Sequence, residues 1–230
     1  WAEHNCGRVA IAQNLTRLKK SIYCFFFIVC YIFYMNIYNI LHNIKANTDY
    51  TKPLETVFSE YYFNDSVKQY NFIIQFAIKS DNFYFKEDNI ECNLNKLKDI
   101  FTSIRIETVS QLINEYNKNH NKKALVLSLK QQSQKEEYKR FIYRERGINR
   151  LFGKENYKKY GDILGINLIR RPSFASNSYT SCRIAMEFWK ENDCDNKIND
   201  IEELTKTIQG ECNETHIEKI KELMKALKIY

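Results

Sequence analysis

The side chains best suited to acid–base chemistry lie in and just before residues 143–157, which read YRERGINRLFGKENY. Glu136 and Glu137 precede this stretch, and Glu145 lies within it. Carboxyl groups can give protons to a reacting group or take them from it, and each such role contributes roughly 10²–10⁴ in rate. Because basic residues surround these glutamates, the alternatives are a solvated charge run for Glu136 and Glu137 and a surface salt bridge for Glu145.

Glycines and apolar spacing indicate how this stretch folds. Gly147 and Gly153 allow the backbone to bend where a side chain would clash. Beyond residue 157, apolar residues recur at helical spacing, at Tyr160, Ile163 and Leu164. Gly165 is a suitable helix stop. By pattern alone, the prediction is a surface loop followed by a short amphipathic helix.

Composition indicates a folded, mainly helical protein. The chain has 230 residues, of which 44% are hydrophobic and 14% aromatic, so it can bury a real core and is not disordered. Six Gly and two Pro are few for the many turns of an all-β sandwich. The net charge of +7 is scattered along the chain and interleaved with acids, which argues against a nucleic-acid partner.

The chain divides into a polar leader (residues 1–20), a hydrophobic segment (21–46) and a domain (47–230). The hydrophobic segment follows a basic cluster and carries no charged residue from 22 to 41, the layout of a signal peptide or signal anchor. A helix needs about 20 residues to span a bilayer, so residues 21–41 predict either a cleaved signal that ends near Ala46 or a membrane anchor. The domain would then be secreted or held on the extracellular side. If Met35 were the true start, this export prediction would fail.

An exported domain would keep the cysteines Cys92, Cys182, Cys194 and Cys212. They allow three disulfide pairings, among which the sequence does not choose, and free buried thiols are the alternative. The chain has no CxxC pair and no His spacing typical of zinc sites, so neither a metal nor another cofactor is predicted. Asn64 and Asn213 open glycosylation sequons that would be used only in an exported chain.

The domain begins with two helical patterns joined by a short turn. Apolar residues share one face of each pattern: Leu54, Val57, Phe58 and Tyr61 in the first, and Tyr70, Ile73, Ile74 and Ala77 in the second. The tripeptide at residues 64–66, Asn-Asp-Ser, supplies a turn and an N-cap, so a helical hairpin is predicted. Further helices are predicted at residues 109–116, 124–129 and 179–189, from residue 199, and over 216–230.

The stretch 143–157 and the helix after it resemble the central motif of the family-19 glycoside hydrolases, the plant-type chitinases of lysozyme-like fold. Their pattern there is close to YRGRG-x-IQLTG-x-x-NY. The chain shares with this motif and the following helix Tyr143, Arg144, Arg146, Gly147, Leu151, Gly153, Asn156, Tyr157, Gly161, Leu164, Gly165, Leu168 and Pro172. It departs at Glu145, Asn149, Arg150 and Phe152, where the family has Gly, Ile, Gln and Thr. The residues that shape the fold are kept, whereas several that would line the cleft are not.

A second block resembles the same family and bears on catalysis. Residues 71–83, NFIIQFAIKSDNF, are similar to the family's AFLAQxAHESGGF, and the Glu that serves as its general acid falls on Lys79. A lysine is a cation near neutral pH unless it is strongly buried, so Lys79 does not replace that acid. The resemblance places the family's base on Lys135 or, with a shift of one or two residues, on Glu136 or Glu137.

Over residues 54–229, the resemblance implies a mainly α, lysozyme-like domain with a substrate cleft for chitin, a β-1,4-linked polymer of N-acetylglucosamine. The implied substrate-binding residues are Tyr143, Arg146, Arg150, Asn156, Tyr157 and Gln209. Inverting glycosidases need two carboxyls about 6.5–9.5 Å apart, so the loss of the acid predicts weak or absent hydrolysis. Two other hypotheses stay open. One is an active, divergent chitinase that uses Glu136, Glu137 or Glu145, and the other is a membrane-anchored, non-catalytic glycan-binding or interaction domain.

Overall fold

The computed structural model describes residues 37–87 and 94–227, and this part of the chain is mainly helical. Residues 37–43 form α1. The helices after it are α2 (Thr51–Glu60), α3 (Ser66–Lys79), α4 (Leu94–Ile100), α5 (Ile106–Asn119), α6 (Lys122–Gln132), α7 (Lys135–Ile142), α8 (Lys154–Leu164), α9 (Ser178–Glu191), α10 (Ile201–Gln209) and α11 (Glu214–Ala226). In the described ranges, extended backbone pairs only in isolated bridges, at Glu87–Arg146 and Arg146–Leu151. The predicted fold class, mainly α, is confirmed.

The predicted helical hairpin is confirmed as α2 and α3. Asp65 is the N-cap of α3, and its side chain accepts hydrogen bonds from the backbone N–H of Val67 at 2.8 Å and of Lys68 at 3.1 Å. These bonds satisfy donors that the first turn of a helix leaves unpaired. Helix α2 packs against α9, and α3 packs against α10 and α11. Aromatic rings fill the space between them: Phe58, Phe63, Phe72, Phe76 and Trp189.

The main core extends into the segment that precedes residue 47. Ile37, Leu41, Ile44 and Ala46 are buried and belong to the same apolar cluster as Trp189. The domain boundary predicted at residue 47 therefore falls within packed structure, and the folded unit includes α1. Residues 21–36 of the predicted signal or anchor lie outside the described residues. Among the described helices, none is long and apolar enough to cross a bilayer.

Two smaller apolar clusters complete the domain. One holds α4 to α7 together through buried side chains that include Leu97, Phe101, Val109, Leu125, Leu129 and Phe141. The rings of Phe101 and Phe141 lie 5.5 Å apart between centroids. The other cluster joins α8 to α9, with Tyr157 and Tyr160 packed near Ile184. Residues 143–153 connect these two clusters along the chain.

A tight turn over residues 146–151 lies between α7 and α8. Arg146 and Leu151 exchange backbone hydrogen bonds of 3.1 and 2.8 Å. Gly147 has a φ of +70°, and a Cβ atom there would lie 2.5 Å from the carbonyl oxygen of Ala175. This position therefore requires glycine both for its conformation and for the close backbone approach. As predicted, α8 ends at Gly165, which has a left-handed conformation.

The described cysteines, Cys182, Cys194 and Cys212, carry free thiols, and Cys92 lies outside the described residues. Cys182 and Cys194 are fully buried. Burial raises the pKa of both thiols, that of Cys194 to about 12. For these two residues, the structure shows the buried-thiol alternative. Within the described ranges, no group of three or more His, Cys, Asp or Glu side chains could hold a metal ion.

Candidate functional site

An open groove lies beside the carboxyl end of α3. Its lining residues are Ile78, Asp81, Tyr84, Phe85, Lys86, Glu87 and Arg150. The groove has a volume of about 760 Å³. Tyr84 is 61% exposed, so its ring is accessible to a ligand. The groove therefore combines aromatic rings with charged groups, a lining suited to a ligand that has both apolar faces and polar substituents.

Arg150 is fixed in this groove by several contacts. Its Nε donates a hydrogen bond to the carbonyl oxygen of Lys79 at 2.6 Å, and its Nη1 donates to Glu145 Oε2 at 3.1 Å. The guanidinium carbon lies 4.1 Å from the centroid of the Phe85 ring, a cation–π contact. The φ of Arg150 is +49°, in the left-handed region that non-glycine residues rarely adopt. The hydrogen bond from Arg150 N to Gly147 O, 3.0 Å long, closes the turn that holds this conformation.

Lys79 is the last residue of α3, and its ammonium contacts α10. The Nζ atom donates a hydrogen bond to the backbone carbonyl of Ile208 in the last turn of that helix. Carbonyls at the carboxyl end of a helix lack intrahelical partners and carry a partial negative charge, so a cation is stabilised there. Burial lowers the pKa of Lys79 below its ordinary value, Glu145 opposes this shift, and Arg150 adds to it. The ammonium therefore has a hydrogen-bond partner within the protein.

Gln209 makes a second connection between the same two helices. Its Nε2 donates to the carbonyl oxygen of Gln75 at 2.9 Å. The side chain of Gln75 in turn donates from Nε2 to Thr205 Oγ1 at 2.9 Å, and both of these residues are buried. The side chain predicted at residue 209 to bind substrate is therefore bonded to α3.

Glu87, at the edge of the groove, is a charged residue that the sequence-based predictions of the site do not include. Its Oε2 lies 3.0 Å from Arg146 Nε and 3.3 Å from Arg144 Nη2, and its Oε1 lies 3.6 Å from Lys122 Nζ. Arg144 and Arg146 are only 4% and 5% exposed. Burial favours the neutral form of Glu87, but the three cations outweigh it and lower the pKa of this carboxyl. Glu87 is therefore ionised near neutral pH.

The sequence does contain a signal for this cluster. Arg144 and Arg146 stand two residues apart, and in extended backbone such residues point to the same side. Buried guanidinium groups require an anionic partner because an unpaired charge is costly to remove from water. A carboxylate partner for these two arginines could thus be expected. The sequence did not identify Glu87 as this partner, because Glu87 is distant in the sequence and the chain has many other acidic residues.

Tyr143, Arg146 and Tyr157, all predicted to bind substrate, form a buried network in the structure. Arg146 Nη1 donates to the Tyr157 hydroxyl at 2.8 Å, and this hydroxyl donates to the carbonyl of Arg144 at 2.7 Å. The Tyr143 hydroxyl donates to the carbonyl of Ile169 at 3.3 Å. The two tyrosine rings lie 5.3 Å apart between centroids. These side chains support the tight turn on its buried side.

Glu136 and Glu137, predicted as catalytic, lie in the first turn of α7, and neither lines the groove. Glu137 accepts hydrogen bonds from Thr102 Oγ1 at 3.0 Å and from the backbone N–H of Ser103 at 2.8 Å. Glu137 also accepts a hydrogen bond of 3.2 Å from the backbone N–H of the N-cap residue of its own helix, and this bond caps α7. Glu136 is exposed and pairs with Lys139 at 2.5 Å. Both carboxylates thus have structural partners.

Asn156 lies at a second depression, of about 650 Å³, at the start of α8. Its Nδ2 donates to the carbonyl oxygen of Phe152 at 2.9 Å. Glu136 lines the same depression. The structure therefore places Asn156 and Glu136 together there, whereas Arg150 lies in the groove beside α3.

Comparisons with known proteins return a distant likeness. No protein-family profile and no curated protein sequence matches the chain. The crystal structure of chitinase C from Streptomyces griseus HUT6037 is similar over 80% of this chain and 77% of its own, with a TM-score of 0.43 and 17% identity. A chitinase C mutant has the same TM-score and identity over 83% of this chain and 67% of its own. A likeness at this level establishes neither an activity nor a substrate.

Proposed function

We propose that the chain is a divergent relative of the family-19 chitinases that binds β-1,4-linked N-acetylglucosamine polymers and hydrolyses them weakly or not at all. The two motif blocks at residues 71–83 and 143–157 support the family. The hydrogen bond from Lys79 Nζ to the carbonyl of Ile208 carries the proposed loss of hydrolysis. Where the resemblance places a general acid, this chain has a cation bonded to a helix end.

Two carboxylates of the groove region, Glu87 and Glu145, are poorly suited to replace that acid. A general acid must hold a proton near neutral pH and reach the leaving oxygen. Arg144 and Arg146 keep Glu87 ionised, and Glu145 is paired with Arg150. Because inverting hydrolysis needs one protonated and one ionised carboxyl, we expect that bound polymer is cleaved slowly or not at all.

The groove retains groups that suit a sugar polymer. Tyr84 and Phe85 offer aromatic surface against which the apolar face of a sugar ring can pack. Asp81, Glu87 and Arg150 offer hydrogen-bond partners for hydroxyl and acetamido groups. Export directed by the apolar run that precedes residue 37 would bring this groove into contact with extracellular polysaccharide.

Calorimetric titration of the full chain with the N-acetylglucosamine hexamer tests this proposal. We expect saturable binding that the Tyr84→Ala variant weakens about tenfold, since it removes an aromatic contact of the groove. The matched control is Tyr62→Ala, because Tyr62 is 86% exposed and lines a different depression. Absence of binding by the unaltered chain, or equal losses in both variants, would overturn the proposal.

A further inference from the structure

The turn between α2 and α3 carries a glycosylation sequon at the protein surface. The sequon is Asn64-Asp65-Ser66, and all three residues are exposed. The side chain of Asp65 caps α3, whereas those of Asn64 and Ser66 make no hydrogen bond within the part of the chain that the structure describes. The acceptor motif for N-glycosylation pairs an asparagine amide with a hydroxyl two residues later. Both groups are therefore available in this turn.

Tyr62 lies two residues before this asparagine and exposes its ring to solvent. It is 86% exposed, and its ring contacts no other ring or cation among the described residues. Its φ of +53° is in the left-handed region that a tyrosine rarely adopts. The backbone N–H of Asn64 donates to the carbonyl of Tyr62 at 3.1 Å, which holds the two residues in one turn. A strained residue whose side chain has no role in packing indicates a function at the surface.

Tyr62 and Asn64 line the same depression, which has a volume of about 430 Å³. Small-molecule sites have volumes of roughly 300–1,000 Å³. Lys190 and Asp193, near the carboxyl end of α9, line the depression as well. Their ammonium and carboxylate are a donor and an acceptor for sugar hydroxyl groups. A sugar ring attached to Asn64 would thus find room, an aromatic surface and polar partners.

We propose that Asn64 carries an N-linked glycan whose first N-acetylglucosamine packs against the ring of Tyr62. The apolar face of the sugar covers this exposed ring. Because the sugar is tethered at residue 64, its effective concentration at Tyr62 is high, and a contact too weak to bind a free oligosaccharide is sufficient. The site is separate from the groove beside α3, so the inference goes beyond the proposed function. It depends on export of the chain.

The attachment is a group transfer to the side-chain amide of Asn64. The donor is a lipid-linked oligosaccharide diphosphate, and the oligosaccharyltransferase of the secretory pathway catalyses the reaction. Nδ2 loses a proton and forms a bond to C1 of the first N-acetylglucosamine. The bond from C1 to the diphosphate oxygen breaks, and the lipid diphosphate leaves with the electron pair.

The second sequon, which begins at Asn213, provides a matched control. The Oδ1 atom of Asn213 accepts the backbone N–H of His216 at 3.0 Å and caps α11, and its Nδ2 donates to Glu211 Oε1 at 3.3 Å. Glu211 also occupies the position two residues before this asparagine, so no aromatic ring precedes it there. A glycan at residue 213 would lack the contact that Tyr62 offers at residue 64.

Synthesis of the full chain in the presence of endoplasmic-reticulum membranes tests the attachment. We expect peptide mass spectrometry to find a glycan at Asn64 that Asn64→Gln abolishes and Asn213→Gln leaves in place. An unmodified Asn64 would overturn the proposal. The same chain placed behind the signal peptide of a secreted protein then identifies the failed step. Modification only in that form would overturn export and uphold the site, whereas no modification in either form would overturn the site itself.

Thermal unfolding of the glycosylated protein tests the contact with Tyr62. Trimming the glycan to its first sugar should leave the Tm unchanged, whereas complete removal should lower it by about 2–4 °C. In Tyr62→Ala, complete removal should change the Tm by less than about 1 °C, because the ring is absent. Phe174→Ala, at an exposed aromatic residue outside the depression, should keep the full loss. An undiminished loss in Tyr62→Ala would overturn the assignment of the sugar to this ring.

Discussion

The ammonium of Lys79 and the carbonyl of Ile208 form a hydrogen bond that joins the last turn of α3 to the last turn of α10. Helix α10 packs against α3, so the bond strengthens an existing helix contact. The residue that stands where the family resemblance expects an acid thus contributes to packing. Under the proposed function, this position does not have to serve catalysis and can be occupied by a residue that stabilises the fold.

Replacing Lys79 should therefore affect stability. We expect Lys79→Met to lower the free energy of unfolding by about 1–2 kcal/mol, because the helix end loses a charged donor. Lys79→Glu should cost more, about 2–3 kcal/mol, since a carboxylate would face a carbonyl oxygen. Urea unfolding measures both, and Lys221→Met, at an exposed site of α11, is the control. Equal stability of Lys79→Glu and the unaltered chain would show that the contact contributes nothing.

The carboxylate of Glu87 should make stability depend on acid. Its folded-state pKa lies below the ordinary value of 4.5, so its contribution is complete above that pH and is lost as the pH falls through the folded value. We expect Glu87→Gln to destabilise the fold by about 2–3 kcal/mol at pH 7, because buried arginines lose their counter-charge. This difference should shrink as the pH falls below 4.5 and should vanish only below the lowered folded-state pKa, where the native glutamate is protonated as well.

Urea unfolding of the Glu87→Gln variant at pH 7 and at acid pH measures this difference. The control is Glu222→Gln, an exposed site on α11, which should change stability by less than about 0.5 kcal/mol at either pH. A Glu87→Gln effect that is independent of pH would contradict an ionic role for this carboxylate.

Two glycines with positive φ give a matched test of the tight turn. Gly147→Ala should cost about 3 kcal/mol or more, because the left-handed strain adds to the contact of a Cβ with the carbonyl of Ala175 at 2.5 Å. Gly153→Ala should cost only about 1–2 kcal/mol, since it shares the strain but has open space around the Cβ. Thermal unfolding compares them, and equal losses would mean that the close approach is unimportant.

The packing of α1 predicts where the folded unit begins. A chain that starts at residue 37 should fold, whereas one that starts at residue 47 loses the buried side chains of Ile37, Leu41 and Ile44. Each such side chain contributes about 1.5–3 kcal/mol, so the shorter chain should be destabilised by more than about 4 kcal/mol. Circular dichroism during heating measures the difference. Two chains of equal stability would show that α1 is dispensable.

Local signals in the sequence were sufficient for several elements. The hairpin of α2 and α3, its cap at Asp65, and the end of α8 at Gly165 all follow from neighbouring residues. The spacing of Ile37, Ile40, Leu41 and Ile44 was also a helical signal, with exposed Tyr38 and Asn39 on the opposite face. The longer apolar run before these residues favoured a signal peptide or an anchor, so this helix was not predicted.

The candidate site was harder to predict because its contacts are long-range. The ion pairs of Glu87 join residues far apart in the chain, and periodicity carries no information on them. Glu136 and Glu137 were close in sequence to the central motif, but α7 directs them to caps and surface partners. Proximity to the central motif along the chain therefore did not predict which carboxylates line the groove, because a turn separates α7 from the groove.

The most direct test of the account is product release from the N-acetylglucosamine hexamer, measured by chromatography with the full chain under conditions that saturate the groove. We expect bound hexamer and only slow release of shorter oligomers, or none, above the buffer control. Rapid release of shorter oligomers that is abolished by Glu87→Gln or Glu145→Gln would contradict this expectation, and would show that a carboxylate of this region still performs hydrolysis.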